Sequence, residues 1–262
     1  VIIFFRHDRP SRKIVLKELH LREMLIVSTS LLMLIYVITY GKTLDWMASP
    51  RICIYIAIAP LLLALFIWEQ FHAGKPYDSL KPLFQWKAIL GYFYMMLVMF
   101  FSTSTSLLTS YLTTILKVDS THSYTLYIWL LPGYLAGAFI CFWWFRWQRW
   151  RFRFLIAGGM ACFAFFFGAL YFGISPDSTY EMLYLPLFLR GLGMLTLIIA
   201  FALFAVEDLP PKYLLSNAFF LITFRSVLTP VIASAFYNNM LYRLQQKYMV
   251  QLSENITATD PL

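Results

Sequence analysis

Seven long apolar stretches occupy most of this 262-residue chain, and they limit what it can fold into before any single residue is weighed. They are Leu25–Tyr40, Ile52–Trp68, Ala88–Leu116, Tyr124–Phe145, Phe152–Gly173, Met182–Val206 and Leu214–Tyr237. A helix needs roughly 20 apolar residues to cross about 30 Å of hydrocarbon. In lipid every backbone polar group must pair internally, and a helix achieves this within one segment. The stretches therefore predict an all-α fold, a polytopic membrane bundle of seven transmembrane helices. Composition agrees. Hydrophobic residues make up 60% of the chain and charged residues 13%, against about 25% charged in a soluble domain. Mean hydropathy is +0.68.

The formal net charge of +8 would suit a nucleic-acid binder if it were spread over a soluble face. Instead the basic residues cluster between the spans, as a topology signal does. One set of alternate loops holds Arg6, Arg9, Arg12, Lys13, Lys17, Arg22, Lys75, Lys81, Lys87, Arg146, Arg149, Arg151, Arg153 and Lys212. The other holds Lys42, Arg51, Lys117, Arg243 and Lys247. The first set is expected to be cytoplasmic, with the segment after Tyr237 outside. The run Arg146–Arg153, RWQRWRFR, reads as a cytoplasmic anchor with interfacial tryptophans, and no nucleic-acid partner is expected. Leu80–Trp86 reads as a short helix lying in the interface. The polar tail Leu241–Leu262 reads as exterior, with a loosely amphipathic helix emerging from the last span.

Chemistry-bearing motifs are sparse. Cys53, Cys141 and Cys162 all fall inside spans, lack metal-ligand spacing and read as small buried hydrophobes. No nucleotide-binding loop, metal-ligand cluster or nucleophile–base set is present, which argues against an enzyme and implies no cofactor. The spans contain no interior Asp or Glu, so the chain does not carry a complete proton pathway by itself. Two arginines do lie inside spans. Arg225 sits well inside the last one and costs about 3 kcal/mol there unless it meets a cavity or partner. It reads either as an anion or substrate contact or a helix clamp, or as a structural arginine that bonds carbonyls across helices or snorkels. Arg190 lies near the outer start of its span, before Gly191-Leu192-Gly193, and reads either as a substrate contact or as a side chain that snorkels outward.

In the third span Ser102, Ser106, Thr109 and Thr113 recur at helical spacing and form a polar stripe. The stripe either lines a water-filled cavity or glues helices together. Tyr92, Tyr94, Met95 and Met96, deeper in that helix, offer adaptable contacts to a bulky apolar ligand. Gly133 and Gly137 allow close helix approach, Gly191 and Gly193 give another close-packing face, and Pro132 can kink the fourth span.

The order of these features resembles the carboxy-terminal half of the fourteen-helix drug:proton antiporters of the major facilitator superfamily. Tyr40-Gly41-Lys42-Thr43-Leu44-Asp45-Trp46 is similar to the family's outer loop after the seventh helix. Pro76–Phe84 with Trp86-Lys87 resembles the segment before the ninth. Arg190-Gly191-Leu192-Gly193 resembles the opening of the twelfth, and Leu209-Pro210-Pro211 with Ser216-Asn217 and Arg225 resembles the loop and thirteenth helix. The chain departs from the pattern at Ile198-Ile199 and Thr109, where prolines are common.

The resemblance implies that the first six helices and the last one are missing, so that the chain is a fragment. It divides the chain into the end of a preceding helix and linker (1–22), two helices between the transporter halves (23–70), an interfacial segment (71–87), five helices of the carboxy-terminal half (88–240) and the exterior tail (241–262). It implies secondary active transport: proton-coupled efflux of drugs or other amphipathic small molecules by alternating access. The expected membrane is the inner, plasma, membrane. Expected partners are a small-molecule substrate, protons, the lipid bilayer and, as in envelope-spanning members, a periplasmic adaptor protein. Expected substrate-binding residues are Arg225, Arg190, Ser102, Ser106, Thr109, Tyr92 and Met96. The competing reading from residues alone is a seven-span sensor or scaffold.

Overall fold

The computed structural model describes residues 21–72, 80–114, 117, 119–147, 151–173 and 179–255. The amino-terminal flank through His20, the loop about Lys75 and Tyr77, Arg149, Asp177 and the tail beyond Asn255 lie outside the described residues. Within them the fold is all-α, and seven helical runs are long and apolar enough to cross a membrane. The chain is a multi-pass membrane protein. It divides into two compact units, Val1–Ser79 and Leu80–Leu262.

The first unit is an antiparallel hairpin of α1 (Leu21–Tyr40) and α2 (Pro50–His72). Three cross-pairs set its register: Arg22 with Glu69 at 2.7 Å, the Ser30 hydroxyl donating to the Ala59 carbonyl at 2.8 Å, and the Tyr36 and Tyr55 rings 5.2 Å apart. A serine bonding across helices in lipid contributes about 1 kcal/mol. The Gly41–Trp46 segment forms the connecting turn. Asp45 and Trp46 take left-handed backbone conformations, with φ of 52° and 49°, and the Trp46 amide returns to the Gly41 carbonyl at 2.7 Å. The Trp46 ring lies over Gly41, where an added Cβ would stand 2.6 Å from it, so the Gly–Trp spacing closes this turn. Pro60 lies inside α2 without breaking it.

The second unit is built around α8 (Tyr184–Val206), which packs against α3 (Trp86–Thr103), α6 (Leu130–Trp147) and α7 (Phe152–Gly173). Lipid tails are as apolar as Leu, so close backbone approach and polar bonds, rather than apolar transfer, hold such helices together. Glycines supply the approach. A Cβ on Gly133 would collide with the Phe188 carbonyl, and one on Gly191 would stand 2.6 Å from the Leu130 carbonyl. Gly193 meets Gly159 in the same way across α7, and Gly91 meets Ala205 across α3. The resulting core joins Met95, Val98, Phe163, Leu197 and Phe201.

Three spans of this unit are interrupted. The expected continuous third helix breaks at Ser104, between α3 and α4 (Thr105–Thr114). There the hydroxyls of Thr103, Ser104 and Thr105 donate to the carbonyls of Met99, Phe101 and Ser102, competing with the helix ladder. The fourth span breaks at Trp129, between α5 (Ser120–Ile128) and α6. Pro132 lacks the N–H that the Ile128 carbonyl would accept, so the break falls one turn before the proline. The last span runs from α9 (Leu214–Ile222) through a π-helical segment, Thr223–Leu228, into α10 (Thr229–Asn255). Pro230 removes the partner of the Ser226 carbonyl, and the Thr229 hydroxyl bonds back to the Phe224 carbonyl at 2.7 Å.

One local expectation needs correction, the burial of all three cysteines. Only Cys141 is buried. Cys162 is half-buried, and Cys53 is exposed, its thiol reaching the Met47 carbonyl at 3.3 Å. The expected helix emerging from the last span is present: α10 continues through the polar stretch to Asn255, and Tyr242–Leu252 are exposed.

Candidate functional site

The residues singled out from the sequence fall into separate groups. The first surrounds Arg190. The Gly191 and Gly193 contacts bring α8 so close to its neighbours that the Arg190 side chain, 6% exposed, lies inside the bundle rather than snorkelling outward. Its Nη2 donates to the Ser102 carbonyl at 2.8 Å and to the Ser102 hydroxyl at 3.0 Å. The Ser102 hydroxyl in turn points to the Met194 sulfur at 3.3 Å, which also receives the Tyr134 hydroxyl at 3.4 Å. The guanidinium lies 5.5 Å from the centre of the Phe166 ring. No carboxylate among the described residues pairs with it.

This arrangement offsets a charge that would otherwise be costly. Hydrogen bonds to a charged group contribute about 1.5–3 kcal/mol each, and a desolvated cation over a ring about 2 kcal/mol. The end of α3 adds the negative end of its helix dipole. Together these exceed the roughly 3 kcal/mol insertion cost of an arginine within a span. Arg190 is thus a clamp on the break in α3.

The polar stripe does not act as one surface. Ser102 ends α3, and Thr109 lies on α4, where its hydroxyl shares a 2.6 Å bond with the Tyr127 hydroxyl on α5. Thr113 bonds back to the Thr109 carbonyl at 3.0 Å. Ser106 lies in α4, but its side chain is outside the described residues. The hydroxyls therefore serve largely as local caps and interhelical bonds.

Tyr92 belongs to a second group, ten residues before Ser102 and so about 15 Å away along the helix. Its hydroxyl donates to the Asn217 Oδ1 of α9 at 2.5 Å, and its ring lies 5.6 Å from Phe224. Asn217 is 2% exposed. It was not among the expected site residues, although an amide inside an apolar span is itself a signal of a buried partner. Nearby, Lys87 bridges Glu207 at 2.9 Å and Asp208 at 2.8 Å, and Gln85 donates to the Asp208 carbonyl at 2.9 Å. These bonds tie the start of α3 to the end of α8.

Arg225 lies in the π-helical segment, partly buried, with no hydrogen-bond or ion-pair partner among the described residues. No described contact joins it to the Arg190 group. Met96 stands apart from both, in a groove of about 340 Å³ with Phe93, Leu97, Phe100, Phe101, Thr229 and Ile232. That groove runs between α3 and α10 and is almost wholly apolar. Phe166 carried no sequence signal that set it apart from the other phenylalanines of its span. Among the described residues no three His, Cys, Asp or Glu side chains stand close enough to hold a metal ion.

No protein-family model matches this chain, and no curated protein matches it.

Proposed function

We propose that the chain is part of a secondary active transporter of the inner, plasma, membrane, one that exports amphipathic small molecules by proton-coupled alternating access. The observation that carries the reading is the π-helical interruption Thr223–Leu228, which holds Arg225 with no bonded partner among the described residues. An uncompensated arginine at that depth costs about 3 kcal/mol. Single π-turns inside helices frequently mark functional sites. Interrupted spans are also where transporters place their binding sites, because they free backbone groups and permit rocking. The breaks at Ser104 and Trp129 add two further interruptions in the same unit.

On this reading Arg225 contacts the substrate or takes part in coupling, while Arg190 holds the broken third span in shape. The apolar groove beside Met96 receives the hydrophobic part of the molecule. The major facilitator resemblance supports the same assignment through the order of its motifs, and the family's periplasmic adaptor remains part of the proposal.

Dye accumulation in cells expressing the protein from its native coding sequence tests this. Expressing cells should hold less of an amphipathic fluorescent dye than vector controls, and a protonophore should remove the difference. Equal accumulation with and without the protein would favour a sensor or scaffold.

A further inference from the structure

A second groove, of about 600 Å³, runs along α6 and meets α8 at Ile199. Ala138, Cys141, Phe142, Phe145 and Ile199 line it, and Arg146 stands at its end. Its walls are thus apolar over two turns of helix and then become cationic in the last turn of α6. Arg146 is exposed there, and so are Arg151 and Arg153 just beyond. None of the three has an ion-pair partner among the described residues. The Trp144 indole donates to the Arg151 carbonyl at 3.1 Å, which holds the backbone of Arg151 against the end of α6. The rings of Phe145 and Phe152, 5.7 Å apart, close the same corner between α6 and α7.

The outer face of the helix places this corner in the membrane. Phe139, Trp143 and Trp147 form a ladder of exposed rings, with successive centres 6.3 and 5.0 Å apart. Exposed tryptophans collect at the headgroup level. An apolar channel that rises to that level and ends in unpaired guanidinium groups matches one molecule in two parts: an acyl chain below and a phosphate above. Guanidinium forks bind phosphate oxygens through paired hydrogen bonds.

We infer that this groove seats an anionic phospholipid of the leaflet facing the Arg146–Arg153 loop. One acyl chain lies over Ala138, Cys141, Phe142, Phe145 and Ile199. The headgroup phosphate takes Arg146, with Arg151 beside it. A zwitterionic lipid fills the same channel but gains less from the arginines, because its own cation offsets its phosphate. The inference is independent of the transport reading.

Native mass spectrometry of the delipidated full chain tests it, with phosphatidylglycerol, phosphatidylcholine of the same acyl chains, and inorganic phosphate as probes. Phosphatidylglycerol should bind about thirtyfold more tightly than phosphatidylcholine, as two basic side chains near anionic lipid warrant. The double variant Arg146→Gln with Arg151→Gln should lose that preference and keep its phosphatidylcholine binding. Ala138→Trp, which leaves the arginines in place and fills the channel, should weaken both lipids. Equal affinity for the two lipids in the wild-type chain would overturn the assignment, as would an undiminished preference in the double variant. Displacement of phosphatidylglycerol by inorganic phosphate at equal concentration would assign the arginines to a soluble anion instead.

Discussion

Arg190 and Arg225 look alike in sequence, each a lone arginine within an apolar span, and the structure separates them. Arg190 is buried, bonded twice to Ser102 and set over Phe166. Arg225 is partly buried on a π-helical segment and has no bonded partner among the described residues. In the first region the break in the helix is filled by the charge: Ser102, at the end of α3, offers a carbonyl, and the guanidinium takes it. In the second, the proline-driven break frees backbone groups and the charge stays unspent. An intramembrane cation thus acquires its meaning from whether the neighbouring backbone already answers it.

Breaking the first region's scaffold should have the largest effect. Gly133→Leu places a side chain against the Phe188 carbonyl, where α6 and α8 touch. We expect little folded protein, with destabilisation of about 3 kcal/mol or more from overpacking against backbone. Gly158→Leu, where nothing lies within 4 Å of the added Cβ, should fold normally. Yield after detergent extraction with size-exclusion chromatography compares the two.

Removing the clamp comes next. Arg190→Ala deletes two hydrogen bonds to a charged group and should cost about 3 kcal/mol. Arg190→Lys keeps the charge but loses the fork, and should recover only part of it. Thermal unfolding in detergent, followed by intrinsic fluorescence, reads both. Equal unfolding temperatures for wild type and Arg190→Ala would show that the clamp contributes nothing.

Tyr92→Phe should cost less, about 1–2 kcal/mol, the range for a bond across membrane helices. It leaves the Asn217 Oδ1 without its 2.5 Å donor. Asn217→Leu, combined with Tyr92→Phe, should restore much of the loss, because removing both partners leaves no orphaned group. Guanidinium-free thermal denaturation of the single and double variants checks this, and additive losses would contradict the pairing.

The outline of the fold was open to a reader of the sequence because it rests on period-free hydrophobic length, which needs no partner to be recognised. The glycine pairs Gly133/Gly137 and Gly191/Gly193 were equally open as close-approach signals, although which helix each would meet was not. The interruptions were only partly visible. Pro132 announced a kink in the fourth span, although not that it would fall at Trp129. The Ser104 break depends on hydroxyls choosing carbonyls over solvent, and the Ser102–Thr113 spacing suggested a continuous stripe instead. The difference between Arg190 and Arg225 could not be read in advance, since it turns on Ser102, Met194 and Phe166, which lie on three different helices. Asn217 was visible as a polar intrusion, but its partner Tyr92, 125 positions away, was not.

The central claim, that the unpartnered arginine serves transport while the clamped one serves structure, is tested most directly by dye efflux of Arg225→Ala at matched membrane protein levels. Arg225 has no described bond to lose, so Arg225→Ala should not lower stability and should raise it by up to about 3 kcal/mol as the uncompensated charge is removed. Efflux should nonetheless fall about tenfold or more, with Arg225→Lys recovering only part of it. Wild-type efflux in Arg225→Ala would contradict the account and leave Arg225 a structural side chain.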